Sequence, residues 1–360
     1  MKRESNLELL RIISMIMIIT LHLLNFGGFL NKFDYKTLEY NITWFLEALC
    51  FVAVNCYVLI SGYFLVKSKF SLKRILRVWI EVIFYSTIIY IIMLIFGKAN
   101  FTFDELIKNF LPIISSLYWF ASLYVLLCFI FPFLNLIINK LNKKQYEYLL
   151  IFNFIVFSIL PTIFFKHYGI NFGGSYSIAW FINLYFIAGY LKLHFDIKKY
   201  CLKTYIGIYF LLSFLLMAAN FIFLIISKGR YSANFMYNYY SFTVVLASIA
   251  LFCFFKNLKI NNKTINKLVT FLSPLTFGVY LIHENHYIRS LIWNNIPKIY
   301  NNLVIYLIYI IIAVITIYIV CSFVEFLIIK IINLLTSKIF NSKKFKKLND
   351  KCNKIVGEIV

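Results

Sequence analysis

The chain is short of charge, and above all of negative charge. Only 14% of its 360 residues are Asp, Glu, Lys or Arg, and 14 acids face 36 bases, a formal net charge of +22. A soluble domain is about a quarter charged and about half apolar. Here the apolar fraction is 62% and the mean hydropathy is +0.82. So much apolar surface excludes a water-soluble globule, and disorder is excluded because it needs low hydrophobicity. A polytopic membrane protein is left. None of the seven cysteines forms a C-x-x-C pair, and most lie in apolar runs. That argues against a disulfide framework or a zinc site, so no metal is expected and the cysteines read as small buried hydrophobes. No Walker loop or G-x-G-x-x-G is present, and no G-x-S-x-G or H-E-x-x-H. Nucleotide hydrolysis and the common hydrolase chemistries therefore lack support.

What is there is a series of long apolar runs. A helix crossing the hydrocarbon core needs about 20 mostly apolar residues. Candidate spans fall at 9–28, 44–66, 77–97, 112–138, 147–165, 176–193, 203–227, 238–256, 268–287 and 301–332. The expected fold is thus all-α, a membrane bundle of about ten transmembrane helices. Lys2 and Arg3 before the first run resemble a signal peptide, but Arg11 interrupts the run and no A-x-A site follows. A retained helix is expected. With both termini in the cytoplasm, 27 of the 36 basic residues fall on the inside and 9 on the outside. This asymmetry favours cytoplasmic termini. The bases are split among loops rather than gathered on one face, so no nucleic-acid partner is expected. The expected division is a membrane domain over 1–335 and a basic cytoplasmic tail over 336–360, either lying on anionic lipid or merely solubilising.

Ionisable groups inside spans are functional candidates by default. Arg11 and His22 lie eleven residues apart on the first span, about three turns, so they share a face roughly 16 Å apart along the axis. A neutral imidazole suits proton transfer from an alcohol, and a guanidinium is a fixed cation. The plainer alternative is a structural hydrogen bond for His22 and snorkelling for Arg11. After the second span, Lys73, Arg74 and Arg77 fit either a phosphate site or an ordinary positive-inside anchor. Gly62, in Ser61-Gly62-Tyr63-Phe64, permits close helix contact. Thr276, Tyr280, His283 and Glu284 form a polar stripe at helical spacing. That stripe is able to orient His22, bind an acceptor, or only glue helices together. Trp119 fits an interfacial belt or a surface on which a sugar stacks. His167, His194 and His286 are expected in loops or interfaces without a special task.

Together these pieces resemble the acyltransferase-3 family of integral-membrane O-acyltransferases acting on sugars and polysaccharides. The resemblance rests on Asn6-Leu7-Glu8-Leu9-Leu10-Arg11 with His22, on Ser61 to Leu65, on Arg74-x-x-Arg77, on Trp119-Phe120, and on Ser273 to His283. It implies transfer of an acyl group, usually acetyl, from cytoplasmic acyl-CoA. The acceptor would be a hydroxyl of a cell-envelope or capsular polysaccharide, or of its lipid-linked precursor, in the bacterial cytoplasmic membrane. By the same resemblance His22 would be catalytic with Arg11 its partner. Arg74 and Arg77, with Lys73 beside them, would hold coenzyme A phosphates, and Tyr280 and His283 would line the same cavity. Some members carry W-x-x-x-x-E in the fourth span, where this chain has Tyr124, so no carboxylate partner of His22 is identified; the nearest intramembrane acid in sequence order is Glu47. No appended esterase-like domain is expected to share the task. A saccharide transporter or flippase without acyl transfer is the alternative, since 27 Tyr and 40 Phe are able to line a sugar path. A structural partner in polysaccharide assembly is a third.

Overall fold

The computed structural model describes residues 4–164, 174–229, 236–295 and 302–359. Lys2, Arg3, Lys166, His167, Arg230 and Lys298 lie outside them. Every regular element among the described residues is helical. The first is α1 (Ser5–Phe26), followed by α2 (Leu38–Cys50) and α3 (Ala53–Leu65), which meet at a break over Phe51 and Val52. Then come α4 (Leu72–Ile95), the short α5 (Phe103–Phe110) and α6 (Trp119–Lys140). Next, α7 (Lys143–Phe154) continues through a π-turn into α8 (Leu160–Ile163). α9 (Ile178–Leu193), α10 (Leu202–Ile226) and α11 (Phe242–Asn257) follow. α12 (Lys263–Leu272) bends at a 3-10 turn, Ser273–Leu275, into α13 (Thr276–His283). The chain closes with α14 (His286–Asn294), α15 (Leu303–Asn341) and α16 (Lys343–Ile359).

Each expected span coincides with observed helix. Eight segments are long and apolar enough to cross a bilayer. The chain is therefore a multi-pass membrane protein. The other two expected spans, 176–193 and 238–256, are the 16-residue helices α9 and α11. At 1.5 Å per residue such a helix covers only about 24 Å of the roughly 30 Å core. The boundary expected at residue 335 falls inside α15, which runs on unbroken to Asn341.

Local sequence explains where helices start and bend. Side chains of Ser71, Thr102, Ser177 and Asn262 accept from backbone N–H groups of the first turns they precede, and Asn142 forms a capping box with Gln145. The π-turn Ile155–Ile159 lies just before Pro161, whose missing N–H would otherwise leave a carbonyl unmatched. Pro274 sits in the bend between α12 and α13.

In lipid there is little hydrophobic force between helices, so close van der Waals contact and polar bonds hold the bundle. Gly62 supplies such contact. A Cβ there would stand 2.8 Å from the Ala188 Cβ on α9, too close for any ordinary residue. Burial separates inner from outer helices. In the most apolar window of α1, 67% of residues are buried, and of α2 with α3, 72%; for α7 with α8 the share is 17%, and for α15 22%. α1 is the central element, packed on α2, α3, α11, α12, α13 and α15. Its neighbours form the walls of the site.

Candidate active site

Two cavities flank α1. The first, of about 310 Å³, is lined by Arg11, Ser61, Arg77, Glu81 and Tyr124, together with the bend at Ser273, Pro274 and Thr276. The second, of about 150 Å³, is lined by His22, Asn25, Glu47, Trp119, Tyr176, Tyr239, Tyr280 and Glu284. Three rings, Tyr57, Phe120 and Phe277, line both and form the wall between them. Arg11 and His22 thus share one helix but face different chambers.

Arg11 is fixed before any ligand arrives. Its Nη1 lies 2.7 Å from Glu8 Oε2, one turn earlier on α1, and the same carboxylate accepts from the Ser273 hydroxyl. The Tyr57 hydroxyl donates to the Arg11 carbonyl at 2.9 Å, which ties the dividing wall to α1. Arg77, exposed at the start of α4, donates to Asn333 Oδ1 at 2.9 Å. Arg74 turns instead to the Ser68 hydroxyl at 3.3 Å, and Lys73 sits over the Phe340 ring at 5.4 Å. Of the three bases expected around a phosphate, only Arg77 lines the cavity. Three-residue spacing puts Arg74 and Arg77 on one helix flank, but their side chains find separate partners.

His22 belongs to a chain of hydrogen bonds that sets its tautomer. His283 Nδ1 lies 2.6 Å from the Val279 carbonyl, which only accepts, so a neutral His283 carries its proton on Nδ1. Its Nε2 is then an acceptor, 3.1 Å from His22 Nδ1. His22 Nδ1–H donates to it, and Glu284 Oε2 lies 3.2 Å from the same nitrogen. The His22 Nε2 lone pair is left for another molecule. Arg289 holds the other oxygen of Glu284 at 3.3 Å. Below the pair, Tyr118 donates to the Leu281 carbonyl at 3.0 Å and receives a bond from Asn285 at 2.8 Å, which pins the end of α13.

The family resemblance put Tyr280 and His283 in one cavity. Tyr280 lines it, but His283, fully buried, stands behind His22 and does not. Trp119 lines it too, stacked on Tyr239 with centroids 6.1 Å apart and edge-on to Tyr176 at 4.6 Å. The carboxylate beside His22 is Glu284, at the end of the polar stripe, rather than an acid on α6. Glu8 was quoted in the opening motif without a role; it is the partner of Arg11. Among the described residues no group of three or more His, Cys, Asp and Glu is placed to hold a metal ion.

The architecture is a helical membrane bundle with a cation-lined chamber and a histidine-lined chamber back to back. A family model described as an acyltransferase domain, acyltransferase-3, matches residues 4–322. The match covers most of the chain, α1 into α15, and the chain belongs to the acyltransferase-3 family. It is a membrane acyltransferase. No curated protein and no solved structure matches it.

Proposed function

We propose that the protein transfers an acetyl or other short acyl group from cytoplasmic acyl-CoA to a hydroxyl of a cell-envelope or capsular polysaccharide, or of its lipid-linked precursor. The observation that carries this reading is the His22 relay. A histidine with Nδ1 bonded inward and Nε2 free lines an aromatic cavity that shares a wall with a chamber holding two guanidinium groups. Arg11 and Arg77 suit the phosphates and the thioester oxygen of the donor. In the reaction the acceptor hydroxyl loses its proton to His22 Nε2 as its oxygen bonds the acyl carbon. The carbon–sulfur bond breaks, and the proton passes to the departing thiolate. The products are an ester and free coenzyme A. Trp119 and Tyr280 meet the acceptor.

The proposed topology has ten spans, with α9 and α11 crossing as short helices and both termini in the cytoplasm of a bacterial cell. Its support is the 27-to-9 division of basic residues. The test uses the purified protein in liposomes with labelled acetyl-CoA and envelope saccharide. Label is expected in the saccharide as ester. Saccharide movement across the bilayer without label would overturn the reading in favour of a transporter.

A further inference from the structure

The histidine chamber holds a second acid that the relay does not use. Glu47 on α2 is 95% buried by residue, its exposure being 5%, and it lines the cavity with His22. Its Oε2 has no hydrogen-bond partner, and no ion pair among the described residues includes it. Glu284, across the same space, is matched by Arg289. Among the described residues no Lys or Arg lines the chamber. A carboxyl group taken out of water without a partner is costly, and native structures leave few such groups unexplained. The backbone at this point is also unusual. α2 and α3 break at Phe51 and Val52, one turn after Glu47, and Phe51 and Val54 line the same cavity. Irregular backbone at membrane depth is tolerated where it borders a cavity.

We infer that Glu47 is an acceptor-binding residue, and that it selects the chemical class of the sugar. This rests on the transferase reading above for the location of the acceptor. The carboxyl takes hydrogen bonds from donor groups on the sugar ring, hydroxyls or an amine. The ring itself lies against Trp119 and its aromatic neighbours Tyr176 and Tyr239. Arg289 is paired with Glu284, and among the described residues no unpaired cation lines the chamber to match a negative group on the ligand. A uronic acid, or any sugar bearing carboxylate or phosphate at that point, is turned away by the cost of burying its charge without a cation to pair it.

The test compares methyl glucoside with methyl glucuronide, which differ only in a hydroxymethyl against a carboxylate. Equilibrium binding to the full-length protein in nanodiscs is followed by tryptophan fluorescence, for the wild type and for Glu47→Gln, which keeps the shape. Wild type is expected to bind the glucoside at least about tenfold more tightly than the glucuronide; Glu47→Ala, measured in the same way, should weaken glucoside binding by about tenfold, and Glu47→Gln, which keeps a hydrogen-bonding group, should recover part of it. Equal binding, preference for the glucuronide, no saturable binding of either, or unchanged glucoside binding in Glu47→Ala overturns the assignment. The wild-type comparison needs no variant to fold. Acetyl transfer to the glucoside is measured in parallel. Discrimination without transfer would overturn the proposed acetyl transfer to such a sugar and leave the Glu47 assignment in place.

Discussion

The two chambers touch through three rings, yet their linings suit opposite tasks. The chamber at Arg11 and Arg77 has fixed cations, one of them the exposed Arg77 near the start of α4. The chamber at His22 has a base, two carboxyl groups and a shell of aromatic rings, with no cation in its lining. A guanidinium does not give up its proton at any ordinary pH, so the first chamber is suited to holding an anion and not to proton transfer. An imidazole bonded on one nitrogen is suited to proton transfer and binds anions poorly when neutral. One helix, α1, carries the signature residue of each. The lesson is that a single amphipathic face is able to serve two compartments when a wall crosses it.

Variants should separate the chambers by which kinetic constant they change. His22→Ala is expected to have the largest effect, a fall in kcat of about 10²–10⁴-fold with the acyl-CoA KM little moved, because it removes the proton-transfer group alone. Stable insertion with wild-type turnover would break the division of labour. His283→Phe fills the space but offers no acceptor to His22 Nδ1, and kcat should drop about tenfold, the cost of roughly 1.4 kcal/mol of lost orientation. His283→Gln, which restores an acceptor, should recover part of it, and a merely structural role would show no such rescue. Arg77→Ala should give the mirror image of His22→Ala, with acyl-CoA KM raised up to about tenfold and kcat nearly unchanged, as for loss of one charge-assisted hydrogen bond. The KM increase should shrink at high salt. The smallest effect is expected from Phe277→Ala, which thins the wall. Acetyl-CoA hydrolysis without acceptor should rise by about twofold to fivefold as water reaches the thioester. If it does not, the wall lies elsewhere.

Much of the bundle was legible because a membrane leaves the chain few choices. Apolar runs of adequate length had to be helices, and each expected span coincides with one. The helical period alone aligned Arg11 with His22, and the stripe from Thr276 to Glu284 was visible before its neighbour was known. The break between α2 and α3 was not legible. The run from Ala48 to Val58 holds neither Pro nor Gly, so nothing local marks it. The acid beside His22 escaped for a different reason. It was sought on α6, while the 3-10 turn at Pro274 and the bonds from Tyr118 bring the far end of α13 to α1. The parting of Arg74 from Arg77 depends on Ser68 and Asn333, and spacing within one helix carries no information about partners 256 residues away. The shared wall is likewise tertiary, since Tyr57, Phe120 and Phe277 come from three separate helices.

That wall has a consequence beyond the reaction. A passage joined end to end through a bilayer would conduct, and a cell that stores energy as an ion gradient loses it through any such conduit. Rings from α3, α6 and α13, one of them fastened to the α1 backbone through Tyr57, keep the two chambers from joining into one. An acyl group passing from one chamber to the other would need brief, local yielding of that aromatic packing rather than a standing hole.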